Sequence, residues 1–262
     1  MSDCIRYPRT RHIQGSRLQK DDHDLETIPF SDLKGRRLII EEKIDGANCG
    51  ISFVDGEMKL QSRGHYLTGG PREKQFNLFK QWTSRHKDDF SEALGERYVM
   101  YGEWMFAKHT IFYDALPHYF MEFDVYDKEE KVFLDTVSRM MLLSDLPISS
   151  VFVLDHAKVD KIGDLFAYIG VSNFKTIDID KNLDAAARAS GQDPEFVRKH
   201  TDRSRHMEGL YIKVEEDGVV KERCKLVRSD FTNSILEQAQ HWHDRPIVQN
   251  QLREGGLERM YS

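Results

Sequence analysis

Short apolar runs at residues 37–43 (RLIIEEK) and 47–54 (ANCGISFV) predict two successive strands. An Asp-Gly step inside VDGEM, residues 54–58, predicts a tight hairpin turn into a third strand at 57–63. The period then changes. From Pro71 onward Phe76, Phe79 and Trp82 recur at helical spacing, which predicts a helix over 71–86 with these aromatics in the core. Strand patterns return in RYVMYGEWMF (97–106) and HYFMEFDVYD (118–127), and Lys128–Glu130 turns the chain into KVFLD.

The stretch from about 136 to 203 is mixed. Residues 136–145 read as helix, SSVFVLD (149–155) as strand and 160–169 as a further helix. Asp193-Pro194 supplies the cap and first-turn chemistry of another helix over 194–200. Two more strands, EGLYIKVE (208–215) and KERCKLVR (221–228), are joined by EEDG, and a helical tail is expected from about 231. Strands follow one another here instead of alternating with helices. The reading is therefore an α+β fold of antiparallel sheets flanked by helices, not a doubly wound parallel sheet. The expected organisation is one domain over 1–262, with an N-terminal arm (1–35), an insert at about 136–203 and a C-terminal tail (232–262).

With 39% hydrophobic and 31% charged residues, the chain can bury a core and remain soluble. No run approaches the ~20 apolar residues of a membrane span, and MSDCIRYPRTRH lacks the apolar segment of an export signal. Cys4, Cys49 and Cys224 lie far apart without metal-ligand spacing, so reduced thiols in the cytosol are expected. A net charge of −6 argues against a general nucleic-acid coat protein. Local basic clusters at 6–12, 34–37 and 198–206 leave room for a phosphate-binding cleft or for plain solvated faces.

EKIDGAN places Lys43 at a strand end, just before an Asp-Gly step and five residues before Asn48. Alone, that pattern fits a strand running into a turn. An ordered series follows it: Arg63 in QSRG, Glu103 in YGEW, Phe123 in FMEFDVYD, Glu208 and Lys213 in EGLYIK, and Arg223 and Lys225 in ERCKLVR. Taken together and in this order, these segments resemble motifs I, III, IIIa, IV and V of the covalent nucleotidyltransferase superfamily. Its members include DNA ligases, RNA ligases and messenger-RNA capping enzymes. The resemblance spans 41 to about 231. Asn48, the Arg63 offset and the Glu-Gly-x-x-x-Lys form of the fourth motif are most similar to the ATP-dependent RNA ligase 2-type family.

The resemblance implies a ligase-type nucleotidyltransferase fold and an ATP-dependent RNA ligase using Mg²⁺ or Mn²⁺. Such an enzyme joins 5′-phosphate to 3′-hydroxyl RNA ends through lysyl-AMP and RNA-adenylate. It implies Lys43 as the nucleophile and Glu42 along the adenine edge through its backbone. Arg63 would meet the ribose or phosphates, Asn48 would serve the later steps, Glu103 would bind a ribose hydroxyl and Phe123 would stack on adenine. Glu208 would help hold metal, with Lys213, Lys225 and Arg223 at the α-phosphate. A lysine of ordinary pKa ~10.4 is only about 0.04% neutral at pH 7. Lys213 and Lys225 are accordingly expected to lower the pKa of Lys43 and to stabilise the transferring phosphoryl group.

Each residue also has a plain reading. Arg63 and Lys213 could be solvated strand positions, Glu103 a strand-end carboxylate and Phe123 core. Glu122 and Asp124, on the opposite strand face from Phe123, fit either a cation-facing strand or solvent exposure. Two departures stand out. The fifth motif has Arg223 where the family usually has lysine, and arginine binds phosphate as a rigid fork instead of a point charge. The ~30 residues after LVR are too few for the five-stranded OB barrel that DNA ligases and capping enzymes add. RNA gripping is then expected from the insert, the arm or an RNA-repair partner protein. The alternatives are a capping-type guanylyltransferase or small DNA ligase, and an RNA-end-binding relative without turnover.

Overall fold

The computed structural model describes residues 4–18, 26–231 and 246–261. Two open sheets face each other. The first is built from β1 (Arg11–His12), β2 (Leu38–Lys43), β9 (Val153–Ala157), β10 (Gly209–Glu216) and β11 (Val219–Val227), in the order β1-β11-β10-β2-β9. The second contains β3 (Ala47–Val54), β4 (Glu57–Ser62), β5 (Tyr98–Trp104), β6 (Phe120–Asp127) and β7 (Val132–Phe133), in the order β4-β3-β5-β6-β7. A short β8 (Ser149–Ser150) runs parallel to β6, and β1 runs parallel to β11; the other pairings are antiparallel.

The two-residue period of the strands separates the first sheet into unlike faces. Leu38 and Ile40 of β2, Leu210, Ile212 and Val214 of β10, and Cys224 and Leu226 of β11 share the outer face. They pack with Ile13, Ile28, Leu33, Val159 and Leu165 into an apolar layer. The inner face carries Glu41 and Lys43, Tyr211 and Lys213, and Arg223 and Lys225. Register brings these into rows: Glu41 opposite Tyr211, Tyr211 opposite Lys225, and Lys213 opposite Arg223. Charges turned inward between two sheets are costly unless they are paired or put to use.

The second sheet is covered by α1 (Asn77–Arg85) and α2 (Lys87–Leu94), whose Phe79, Trp82, Phe90 and Leu94 are buried against it. The helix expected over 71–86 is a 3₁₀ turn (Pro71–Phe76) running into α1, and α2 follows after His86. The insert holds α3 (Thr136–Leu142), α4 (Ile162–Phe166), α5 (Ile179–Ala189) and α6 (Pro194–Lys199). Asp135 and Asp193 cap α3 and α6 by accepting the backbone N–H of Ser138 and Glu195. The sequence pattern did not point to α5 or α2. Residues 232–245 of the tail expected to be helical lie outside the described residues; beyond them the chain forms α7 (Gly256–Tyr261). Among the described residues no strands close into a barrel, and no helix is long and apolar enough to cross a membrane.

One close approach positions the site. Gly209 sits opposite Lys43 on one side and Val227 on the other. A Cβ at Gly209 would lie 1.9 Å from the Leu226 carbonyl oxygen, so any side chain would force β10 and β11 apart. Gly209→Ala is expected to cost about 1–3 kcal/mol. Thermal unfolding should show a melting temperature several degrees lower, and an unchanged value would contradict this packing.

Candidate active site

Lys43 ends β2 on the charged inner face, where its Nζ lies 2.6 Å from Glu208 Oε2. Asp45 and Gly46, which follow it, are architectural. Asp45 Oδ2 accepts the backbone N–H groups of Thr110 and Ile111 at 2.8 and 2.9 Å, and its own N–H donates to the Tyr113 hydroxyl. These bonds pin the long connection between β5 and β6 beside the lysine. Gly46 is needed because a Cβ there would meet Met105 Sδ at 2.5 Å and the Trp104 carbonyl at 3.1 Å.

A pocket opens at Lys43 between the two sheets. Glu41, Glu42, Asn48, Arg63, Glu103, Phe123 and Lys225 line it with the lysine, as do Tyr7, Arg9, Thr10, Ile44, Val151 and Tyr211. The pocket thus gathers Lys43, Glu42, Asn48, Arg63, Glu103, Phe123 and Lys225 from the sequence candidates, and Glu208 touches Lys43 directly. Asn48 and Glu103 are opposite residues on β3 and β5. Asn48 Oδ1 and Glu103 Oε2 are buried and accept no hydrogen bond. Buried acceptors of this kind suit a ligand that brings donors or positive charge.

Phe123 reaches the pocket through a bulge. Tyr101 pairs with Asp124 and Gly102 with Glu122, which leaves Phe123 as the extra residue on β6. Its ring lies 5.1 Å from that of Tyr7 and 6.3 Å from that of Tyr211. The side chain of Glu42 is on the outer face, away from Lys43. It accepts bonds from the Ser172 hydroxyl at 2.5 Å and from Asn173 N and Nδ2 at 3.0 and 2.8 Å. The insert therefore buttresses the lysine's strand.

Lys213 and Arg223 are not among the pocket's lining residues. Lys213 Nζ donates to the Phe123 carbonyl at 2.6 Å and lies 3.0 Å from Glu41 and 3.1 Å from Asp124. Arg223 lies 3.3 Å from Asp124, donates to the Tyr7 hydroxyl at 3.2 Å and stacks 3.6 Å from the Phe133 ring centroid. Arg139, fully buried, bridges Glu122 at 2.9 Å and Glu41 at 3.0 Å. Three cations (Lys213, Arg223, Arg139) thus balance three carboxylates (Glu41, Glu122, Asp124) beneath the pocket. Glu122 and Asp124 face cations, not solvent. Burial raises the pKa of Asp124, but Lys213 and Arg223 outweigh it and hold the group below the usual carboxylate range.

The expectation that neighbouring cations depress the Lys43 pKa is not met. Burial does lower it, but Glu208, aided by Asp45 and Glu103, more than reverses that, and the amine stays above the ordinary lysine value. Glu208 is itself pushed up, by burial working against Lys43. Glu103 is pushed up to about 7, chiefly by burial, with Lys43 and Arg63 opposing.

The Glu103 shift has a stability consequence. A carboxylate raised on folding holds a proton that the unfolded chain has released, so stability falls as pH rises from about 4.5 to 7 and stays low above that. The loss is at most about 3 kcal/mol at one pKa unit per ~1.4 kcal/mol. Glu103→Gln is expected to melt roughly 5–10 °C higher than the parent at pH 8. The two should coincide below pH 4.5, and equal melting temperatures at both pH values would contradict the burial of this charge.

Residues that sequence reasoning did not select are Tyr7, Arg9, Thr10, Tyr211 and Arg139. Only the basic cluster at 6–12 hinted at the first three. Tyr7 is buried, donates to Asp124 Oδ2 at 2.5 Å and contacts the Tyr211 hydroxyl. Next to the pocket, a groove of about 720 Å³ shares Asn48 and Arg63 and is also lined by His65, Gly69, Gly70, Gln75 and His109. Among the described residues no group of three or more His, Cys, Asp or Glu is arranged to hold a metal ion. Glu208, paired with Lys43 and within electrostatic reach of Glu103, nonetheless suits Mg²⁺, which is often held by one or two carboxylates together with substrate phosphates.

A model of the RNA ligase family matches residues 36–227, which hold every one of the sequence candidates. The chain belongs to the RNA ligase family. No curated protein matches it in sequence. In structure, this family member is similar to Naegleria gruberi RNA ligase. A variant with AMP and Mn superposes with a TM-score of 0.55 at 18% identity, covering 89% of this chain and 57% of that one. The form with pyrophosphate gives 0.53 at 18% identity, covering 90% and 58%. A variant with ATP and Mn gives 0.52 at 18% identity, covering 88% and 57%. The likeness shows a common fold, and this chain spans less than three-fifths of the length of the ligase it matches.

Proposed function

We propose that this family member is an ATP-dependent RNA ligase that joins 5′-phosphate to 3′-hydroxyl ends through a lysine adenylate on Lys43. One observation carries the reading: Lys43 opens into a pocket whose other walls, Asn48, Arg63, Glu103, Phe123 and Lys225, come from four different strands and the β4 end. In the first step Lys43 Nζ forms a bond to the α-phosphorus of ATP. The bond from that phosphorus to the bridging oxygen breaks, pyrophosphate leaves with the electron pair, and Nζ, which starts as an ammonium, gives up two of its three protons and keeps one in the phosphoramidate. The RNA 5′-phosphate then takes the AMP and frees the lysine; the 3′-hydroxyl attacks that 5′-phosphorus and AMP departs.

Within this reading Phe123 stacks on adenine, Glu103 accepts a ribose hydroxyl, and Glu42 contributes its backbone along the base. Lys225 and Arg63 meet phosphates, and Asn48 serves the RNA steps. Lys213 and Arg223 position the α-phosphate site through Asp124 and Glu41 without contacting substrate. Glu208 would hold Mg²⁺ or Mn²⁺, which supplies charge neutralisation for the triphosphate and relieves Lys43 of the carboxylate that keeps it protonated.

The groove sharing Asn48 and Arg63 is the approach for RNA, with an RNA-repair partner protein adding grip. The chain acts as one catalytic domain over 1–262 with arm (1–35), insert (136–203) and tail (232–262), and works in the cytosol. Incubation with α-phosphate-labelled ATP and, in parallel, GTP tests the reading. A covalent adduct from ATP alone, and sealing of nicked RNA, are expected. Labelling by GTP only would instead indicate a guanylyltransferase. ATP binding with no adduct would indicate an RNA-end-binding protein.

A further inference from the structure

We propose that Arg9, outside the family-matched segment, binds the outer phosphates of ATP and steadies pyrophosphate as it leaves. The inference rests on the adenylylation reading above and names a residue for its first step. Arg9 lines the same pocket as Lys43 and Lys225. It is held between two anchored points. On one side Tyr7 is fixed by Asp124 and the Tyr211 hydroxyl, and the Ile5 carbonyl accepts from Gln61 Nε2 and the Tyr101 hydroxyl, each at 2.8 Å. On the other side Arg11 and His12 pair in register with Cys224 and Lys225. The arm thus crosses from the second sheet to the first, and places one arginine at the pocket mouth.

Charge explains why an extra cation belongs there. The resemblance assigned Lys213, Arg223 and Lys225 to phosphate, but the first two are engaged with Asp124, and Lys213 with Glu41 as well. Tyr7 of the arm joins the Asp124–Arg223 contact. The segment that helps hold Arg223 inside therefore brings Arg9 to the rim. A guanidinium offers the forked donor pair that suits phosphate oxygens.

The two exposed rim arginines sit on different walls. Arg63 also lines the 720 Å³ groove beside Asn48, which has the size of a ligand site. Arg9 does not line that groove. RNA entering by the groove meets Arg63, which leaves Arg9 to the part of ATP that projects outward beyond the α-phosphate.

The test separates the steps. Single-turnover labelling with α-phosphate-labelled ATP is compared with sealing of pre-adenylylated RNA, for the parent, Arg9→Ala, Arg9→Lys and Arg11→Ala. Arg9→Ala should slow lysine adenylylation by about 10- to 100-fold, the worth of a hydrogen bond to a charged group. It should leave sealing of pre-adenylylated RNA within about twofold, measured on protein that circular dichroism shows to be folded. Arg9→Lys should recover part of the rate, and Arg11→Ala, which loses only its pairing with Glu222, should match the parent. Normal adenylylation by Arg9→Ala overturns the proposal, as does a loss confined to sealing, which would assign Arg9 to RNA phosphate. A parent protein that forms no adduct would show instead that the ligase reading itself has failed.

Discussion

Lys43→Ala is expected to eliminate covalent labelling by ATP entirely, with the folded protein still present. In the proposed reaction the Lys43 amine is the group that is consumed and regenerated, and no neighbour is placed to stand in for it. Lys225 comes from β11, and Lys213 donates to the Phe123 carbonyl and pairs with Glu41 and Asp124 beneath the floor. A nucleophile's removal commonly costs several orders of magnitude, and here the adduct itself disappears. Sealing of pre-adenylylated RNA bypasses the missing amine and should survive in part. Intact-mass spectrometry after incubation with ATP and Mg²⁺ reads the outcome directly. An adenylylated Lys43→Ala protein would remove this residue from the mechanism.

The second large effect lies beneath the pocket. Arg139→Met is expected to destabilise the fold by about 3–5 kcal/mol, because it leaves two buried carboxylates without their shared partner. Glu41 and Glu122 are both fully buried, and burial already pushes Glu122 above the usual carboxylate range against the pull of Arg139. With the guanidinium gone, that rise grows. The double change Arg139→Met with Glu122→Gln should recover part of the loss, since the charge left stranded is removed. Denaturant unfolding of the two variants decides it: a single variant as stable as the parent would mean the network carries no net weight.

Much of the candidate site was legible because its residues fall in short segments. The lysine, its Asp-Gly step, Glu103, Glu208 and Lys225 each occupy a strand or strand end that local pattern could place. Their meeting depends on pairings between distant strands, and the ordered motifs implied that meeting without showing it. Arg139 was not legible, because a lone arginine on a predicted helix looks solvated until β6 and β2 are known to lie beneath it. Glu122 and Asp124 drew notice as two acids on one strand, but their cations reside on α3, β10 and β11.

Phe123 illustrates the limit of a strict two-residue period. Alternation offered it a core role with Met121 and Val125, and at the one-residue bulge Phe123 both packs in that core and lines the pocket. Helix α5 went unread because its buried stripe consists of Leu183, Ala186 and Ala187 with one acid, Asp184. Alanines carry little hydrophobic contrast. Helix α2 was hidden for another reason: only His86 separates it from α1, and no proline or glycine marks the break.

The pairing of β2 with β10 bears on how the protein is made. Lys43 meets Glu208 across 165 residues of chain. On a ribosome, the first strand of the charged face must wait, its acids and amine in water, until nearly all of the domain has emerged. Such long-range closure is slow compared with helix or hairpin formation. A half-made chain therefore lacks the partner of Lys43, and the pocket proposed for ATP comes into being only with the last strands of the sheet.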